Sequence, residues 1–190
     1  EKVSGVRFDD YVRENVIWKL GLYGGHNIDS LDASKFALIY NKENGEYVAS
    51  EGAYRSRAAE MPGYVMGYSA PLFSPTGGVK ISALDLAKYM MMHMNYGEYN
   101  GVRIISEESS KLMQTPVRVT GDPAAAEYAL CLTEFKDYIE DEKYNVPGNY
   151  LIGHTGGAYG LNSIMIWSHA DNWGIVAMTN GFTSVKDKSF

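Results

Sequence analysis

The chain has 190 residues, 45% of them hydrophobic, which is enough for one substantial core in a single domain. Its net charge of −6 and the lack of a lysine or arginine cluster argue against a nucleic-acid partner. No apolar run approaches the roughly 20 residues of a membrane span, and no signal peptide is visible, although a chain trimmed of its leader would look the same.

The first twenty residues predict a helical turn followed by an amphipathic helix. Residues 1–5 are typical of the last turn of a helix, with Gly5 as its terminator, so we expect the chain to begin within an element. From residue 8 to residue 20 apolar side chains recur on one helical face, and a glycine follows as a stop. The members of that face are Phe8, Tyr11, Val12, Val16 and Leu20.

Residues 22–80 are mostly irregular, apart from one turn signal. Asn44-Gly45 predicts a small hairpin between residues 36–40 and 46–50, although the first of these segments could equally be a helical turn. Residues 74–78, Ser-Pro-Thr-Gly-Gly, are typical of a loop that leads into the next element.

Two helices are predicted between residues 82 and 115. Ser82 and Asp85 resemble a capping box, and an apolar stripe then continues to about residue 96. The methionines at positions 90–92 of that helix are more typical of core filling than of a binding groove. Ser106 predicts the start of a second, shorter helix that ends before Pro116.

The pattern becomes strand-like in the last third of the chain. Residues 128–138 and 150–154 bracket an acidic segment at 140–143, which indicates a solvated hairpin loop. Two further strands, 163–169 and 173–180, are joined by a tight turn. Residues 174–178 are apolar or small on both faces, which predicts a strand in the centre of its sheet. The predicted fold class is α/β (α+β), with an antiparallel sheet across residues 128–180.

Common catalytic and metal-binding patterns are missing from the chain. The four histidines lack the short spacings of metal ligands, so we expect no metal and no other cofactor. The glycine-rich stretch after Gly153 lacks the Gly-Lys-Ser/Thr ending of a phosphate loop, and no Gly-x-Ser-x-Gly elbow occurs. The single cysteine, Cys131, lies in a strand-like run, which predicts a buried thiol rather than a nucleophile.

His154-Thr155-Gly156-Gly157 is the most informative stretch of the chain. At the predicted end of a strand it joins a proton carrier, a hydroxyl group and an unobstructed backbone amide within four residues. From the residues alone, a structural histidine at a strand end explains the pattern equally well. The wider context separates the two interpretations.

That context is a set of segments that resemble the serine β-lactamase and penicillin-binding-protein superfamily, over nearly the whole chain and in the same order. They resemble most the branch with class C β-lactamases, D-alanyl-D-alanine carboxypeptidases, D-aminopeptidases and esterases. The segments are Glu1-Lys-Val-Ser-Gly5, Tyr11-Val-Arg-Glu-Asn15, Pro75-Thr-Gly-Gly78, Ser82-Ala-Leu-Asp-Leu-Ala87, Gly101-Val-Arg-Ile-Ile-Ser106, Gly153-His-Thr-Gly-Gly157 and Thr179-Asn-Gly181.

The resemblance implies site residues in the third of the family's three motifs, a Lys-Thr-Gly-type strand. His154 replaces the usual lysine and would help proton transfer, and Thr155 would hydrogen-bond the substrate. The amide of Gly157 would supply half of an oxyanion hole, and Gly156 is small so that substrate can approach the strand. The expected catalytic residues are therefore His154, Thr155 and Gly157, and the expected substrate-binding residues are Thr155, Gly156 and Gly157.

The chain also departs from the family pattern. No serine has lysine three residues on, and no tyrosine has asparagine two residues on, so the first two motifs are absent. The histidine in place of lysine would grip a substrate carboxylate less firmly, which argues against true β-lactamase activity. We therefore interpret residues 1–190 as a single C-terminal portion of a β-lactamase-like domain, with a helical and irregular region at 1–125 and a sheet region at 126–190. The N-terminal strands and both terminal helices of the fold would lie elsewhere.

The function that the resemblance implies is serine acyl transfer on an amide, lactam or ester bond through an acyl-enzyme. Its substrates would be β-lactams, D-amino-acid peptides or esters, and these 190 residues alone would be inactive. A noncatalytic module that binds peptidoglycan peptides or a protein partner is the alternative. The resemblance favours a periplasmic or exported location. It also predicts that residues 173–180 form an exposed apolar edge that another chain covers, by strand pairing, in an oligomer, or as the missing segment retained as a separate piece.

Overall fold

A computed structural model describes residues 1–117, 127–135 and 151–181. These residues group into two compact units. The first comprises Glu1–Asp85, Gly156–Ser163 and the described residues from Met178 onward, and the second comprises the described residues of Leu86–Thr155 and Ile164–Ala177. The predicted acidic loop at 140–143 lies outside the described residues.

The described elements are short helices and mostly short strands. The helices are α1 (Phe8–Val12), α2 (Ala83–Met94) and α3 (Glu107–Gln114), with a π-helical segment at Arg13–Ile17 and 3₁₀ turns at Ile28–Ser30, Ala33–Lys35, Glu51–Tyr54 and Ala58–Gly63. The strands are β1 (Gly24–Gly25), β2 (Tyr40–Glu43), β3 (Glu46–Ala49), β4 (Lys80–Ile81), β5 (Glu98–Tyr99), β6 (Val102–Arg103), β7 (Glu127–Tyr128), β8 (Thr133–Phe135), β9 (Leu151–Ala158), β10 (Leu161–Ser168) and β11 (Trp173–Asn180).

The predicted first helix is present but changes its winding half-way. After α1 the amide of Trp18 donates to the carbonyl oxygen of Arg13, five residues back, at 2.9 Å. This wider turn rotates the buried face relative to an unbroken α-helix. As a result Ile17 is buried, whereas Tyr11, which the periodicity placed on the apolar face, is exposed. That part of the prediction was wrong.

In the first unit, the turn at Asn44-Gly45 forms the predicted hairpin of β2 and β3. Asn44 and Gly45 both have positive φ angles, of 51° and 90°, as a tight hairpin turn requires. The first strand begins at Tyr40, so the predicted strand at residues 36–40 was placed too early. A second short pairing joins β1 to β4, with Gly25 opposite Lys80.

The second unit contains a core centred on Trp167. Trp167 is fully buried, and it clusters with other buried apolar side chains. The cluster members are Met90, Ala129, Leu132 and Met165. The expected core role of the methionines on α2 is confirmed for Met90 and Met92, both of which are buried. The predicted start of α3 is also confirmed, because the Ser106 hydroxyl accepts a hydrogen bond from the Ser109 amide at 3.1 Å.

The main sheet has five strands in the order β11-β10-β9-β8-β7. The β7–β8 and β8–β9 pairs are antiparallel, which confirms the predicted kind of sheet. The described part of the predicted strand at residues 128–138 belongs to a small hairpin instead, because the chain turns between β7 and β8. Cys131 lies in that turn with a φ of 64° and is exposed, so the prediction of a buried thiol was wrong.

The strand β11 has the predicted bounds but a different position. It lies at one edge of the described sheet, as the family resemblance predicted, and not at its centre, as its composition suggested. Its residues alternate between half-buried and exposed, and Ile175 is 50% exposed. The composition of residues 174–178 suggested burial on both faces. These residues nevertheless lie in a strand that has no pairing partner on one side within the described sheet.

Candidate functional site

The four residues expected to form the site lie together in the interior of one strand. His154, Thr155, Gly156 and Gly157 are consecutive in β9, and all four are exposed. The strand continues to Ala158, so the expectation that His154 ends a strand was wrong. The patch is an exposed length of extended backbone within a sheet.

The pairing of β9 explains why this length of backbone is accessible. Its neighbour β8 pairs only with the beginning of the strand, where Phe135 faces Leu151 and Thr133 faces Gly153. From His154 onward, this side of β9 has no strand partner in the described part of the chain. Unpaired amides and carbonyls on a strand edge can hydrogen-bond an extended ligand. The structure thus leaves an open edge at the predicted site.

The imidazole of His154 contacts the backbone of its own strand. Its Nδ1 lies 2.5 Å from the carbonyl oxygen of Thr155. A carbonyl oxygen can only accept, so Nδ1 must carry the hydrogen. In the neutral ring this leaves Nε2 as the nitrogen that can take up a proton, which suits a residue in proton transfer.

Gly153 is required by close packing of backbone. It has a φ of 154°, and a Cβ there would lie 1.9 Å from the carbonyl oxygen of Met165 on the neighbouring strand. No side chain fits such a gap, so glycine is the residue that allows β9 and β10 to approach at this point. This glycine therefore supports the strand rather than the chemistry.

Gly156 and Gly157 also contact the neighbouring strand. A Cβ at Gly156 would lie 2.8 Å from Oγ of Ser163, and one at Gly157 would lie 3.2 Å from Oδ1 of Asn162. The predicted reason for the small size of Gly156 was substrate approach, whereas Gly157 was expected to supply an amide. Packing against two polar side chains of β10 is a second reason, which the sequence pattern did not reveal.

A cationic cavity in the first unit was missed by sequence reasoning. Its volume is about 140 Å³, and its lining includes His26, Arg55, Arg57, Lys80 and Tyr159. Tyr159 directly follows β9 in the chain. The cavity residues come from four separate segments with no shared motif, so no local signal could have identified them.

Other site types find no support in the described residues. No group of three or more histidine, cysteine or acidic side chains is arranged to hold a metal ion within ranges 1–117, 127–135 and 151–181. Over the same ranges, no helix combines the length and apolar character needed to cross a membrane.

Comparison with known proteins gives one family match. A family model described as Beta-lactamase matches residues 1–189. No curated protein matches the chain.

Several solved structures share the fold. They include an octameric penicillin-binding protein homologue from Pyrococcus abyssi (24% identity, TM-score 0.66), a penicillin binding protein from Bacillus halodurans (21%, 0.66) and a class C β-lactamase (18%, 0.65). The matches cover 95%, 97% and 97% of this chain, but only 35%, 48% and 49% of the respective structures. The chain therefore spans half or less of the length of these proteins.

Proposed function

Because the chain belongs to the β-lactamase family, we propose that it is part of a serine hydrolase that cleaves an amide, lactam or ester bond through an acyl-enzyme. The observation that carries this proposal is the open edge of β9. There the exposed residues His154–Gly157 run past the end of β8 with their backbone accessible. Candidate substrates are β-lactams, D-amino-acid peptides and esters.

Each residue of the patch has a role in the proposed reaction. The serine oxygen attacks the carbonyl carbon, and the resulting negative charge on the carbonyl oxygen is stabilised by the amide of Gly157. The hydroxyl of Thr155 hydrogen-bonds the substrate, and Nε2 of His154 takes part in moving the proton that the serine loses to the leaving amine or alcohol. Water then hydrolyses the acyl ester and regenerates the serine.

The nucleophile itself is proposed to lie outside these 190 residues. No serine of the chain is followed by lysine at the third position, and the chain spans only 35–49% of the related structures. Residues 1–190 are then the C-terminal portion of one β-lactamase-like domain, and on their own they should not turn over substrate.

Covalent labelling tests the proposed reaction. The protein that contains this chain is treated with a fluorophosphonate or a penicillin, and the intact mass is then measured. We expect one adduct, on a serine outside residues 1–190. A protein that forms no adduct but still binds a peptidoglycan peptide would refute the enzyme and favour the noncatalytic binding module.

A substitution tests the role of the patch. Thr155→Val keeps the side-chain shape and removes the hydroxyl, so kcat/KM for a p-nitrophenyl ester should fall about 10- to 100-fold. Thr115→Val, which removes an exposed hydroxyl beyond α3, is the matched control and should leave kcat/KM unchanged. Ester turnover by residues 1–190 alone, abolished by His154→Ala, would contradict the proposal that the nucleophile lies elsewhere.

We also propose that β11 is paired with a strand from another chain or from another segment of the same protein. The strand lies at the sheet edge, and a protein with a similar fold is octameric. Ile175→Lys should weaken that association, because Ile175 is half exposed on this strand. Light scattering would measure the change, with Leu84→Lys on α2 as a control for the added charge.

A further inference from the structure

The cationic cavity of the first unit is held by close contacts between separate segments. The pairing of β1 with β4 places Gly25 opposite Lys80. A Cβ at Gly78 would lie 2.2 Å from the carbonyl oxygen of Ser74 and 3.3 Å from Cδ2 of His26. Glycine at this position therefore lets the 74–78 loop lie directly against the His26 ring, and the cavity forms beside it.

Positive charge exceeds negative charge around this cavity. Arg55, Arg57 and Lys80 line it, and no aspartate or glutamate belongs to its lining in the described ranges. Glu60 is the nearest counter-charge to the arginines, because its Oε2 lies 2.6 Å from Nη2 of Arg57 and its Oε1 lies 3.4 Å from Nη2 of Arg55. One carboxylate is thus shared by two guanidinium groups.

One polar atom beside the cavity has no hydrogen-bond partner among the described residues, and the ammonium of Lys80 has an uncharged one. Nδ1 of His26 is buried and has no hydrogen-bond partner among the described residues. The ammonium of Lys80 donates to the carbonyl oxygen of Gly78 at 2.9 Å, and burial lowers the pKa of Lys80 below its ordinary value. Burial likewise lowers the pKa of His26. A bound anion would supply a charge partner to the lysine.

We propose that this cavity binds a small oxyanion, a carboxylate or a phosphate group, held by Lys80 and Arg57. The cavity volume of about 140 Å³ is several times the share of one water in the liquid, about 30 Å³, so an oxyanion with a short carbon chain fits. Guanidinium and ammonium groups form the strongest hydrogen bonds with such anions. If the proposed hydrolase function holds, the cavity binds an acidic group of the substrate.

Calorimetric titration with two probes tests the site and identifies the group. The protein is titrated separately with succinate and with inorganic phosphate, in a buffer free of other oxyanions. We expect a Kd of about 1 mM or below for one of them, which corresponds to roughly 4 kcal/mol. Tighter binding of succinate identifies a carboxylate site, and tighter binding of phosphate identifies a phosphate site. Absence of binding by both probes would overturn the inference.

Matched variants locate the binding. Lys80→Met should raise Kd at least tenfold, and Arg57→Met gives an independent second test. Lys42→Met makes the same charge change on the exposed β2–β3 hairpin, outside the cavity, and should leave Kd unchanged. Equal weakening by Lys42→Met and Lys80→Met would show that general charge attracts the anion and would overturn the proposed site.

The same titration separates this inference from the proposed function. Anion binding that depends on Lys80, in a protein that forms no covalent adduct, would leave the cavity site standing and refute the hydrolase. Covalent labelling without any anion binding would refute the cavity site and leave the proposed hydrolase standing.

Discussion

The turn that follows the candidate site strand offers a direct test of the structure. Tyr159 and Gly160 connect β9 to β10, with φ angles of 57° and 90°. A Cβ on Gly160 would lie 1.9 Å from the carbonyl oxygen of Tyr40 and 2.7 Å from Oδ1 of Asn41. The backbone of the β2–β3 hairpin thus occupies the space that a side chain would need. Gly160→Ala must displace that hairpin.

Gly45 provides a control with the same φ angle as Gly160. Its φ is also 90°, but a Cβ there would meet no atom within 4 Å. In Gly45→Ala the left-handed conformation costs about 1–2 kcal/mol, and the restricted unfolded chain returns about 0.4–1 kcal/mol. Gly160→Ala has the same two contributions, and the forced displacement of Tyr40 adds about 1–3 kcal/mol. We therefore expect Gly160→Ala to be about 2 kcal/mol less stable than Gly45→Ala.

Urea unfolding measures this difference. With a typical slope of about 1–3 kcal/mol/M, 2 kcal/mol shifts the midpoint by roughly 1 M, provided that the slopes of the two variants agree. Equal midpoints for the two variants would refute the close approach of Gly160 to Tyr40. Equal midpoints would also contradict the contact between the β2–β3 hairpin and the turn that follows β9.

Three further predictions concern the rest of the described chain. Burial lowers the pKa of His93 to about 4. The free energy of unfolding should therefore fall by up to about 3 kcal/mol as the pH drops from about 6.5 to about 4. In unfolding experiments the variant His93→Phe should not show this loss. Ser106→Ala should cost about 1 kcal/mol by removing the cap of α3, whereas Ser109→Ala keeps the capping oxygen and should cost less. Asn180→Ala should speed hydrogen exchange at the Tyr40 amide, which now donates to the Asn180 side chain at 3.0 Å.

Local signals in the sequence predicted the parts of the fold that depend on neighbouring residues. Ser106 caps α3 and Asn44-Gly45 turns the first hairpin, as expected, because a cap or a tight turn is decided within about four residues. The bounds of β11 were also predicted correctly. The family itself was recognised from short segments in the right order, and this recognition is confirmed.

Features that depend on distant contacts were not predictable in the same way. The π-helical turn after α1 moves Tyr11 out of the buried face although the apolar spacing is regular. The strand-like run at residues 128–138 gave no sign that the chain turns at Cys131. The position of β11 at an edge depends on the pairing of the whole sheet; its composition alone suggested a central strand, and only the family resemblance predicted the edge. The roles proposed for His154, Thr155, Gly156 and Gly157 remain predictions.

The four patch residues do not carry equal weight as evidence for chemistry. Gly156 and Gly157 lie close to the side-chain ends of Ser163 and Asn162 on β10, so packing also favours a small residue at both positions. Their presence is therefore weaker support for an oxyanion hole than the motif suggests. His154 and Thr155 are exposed, and the imidazole contacts the carbonyl oxygen of its own neighbour, Thr155. An exposed imidazole and hydroxyl on an open strand edge add little to the packing of the described chain, so their identity is the better indicator of function.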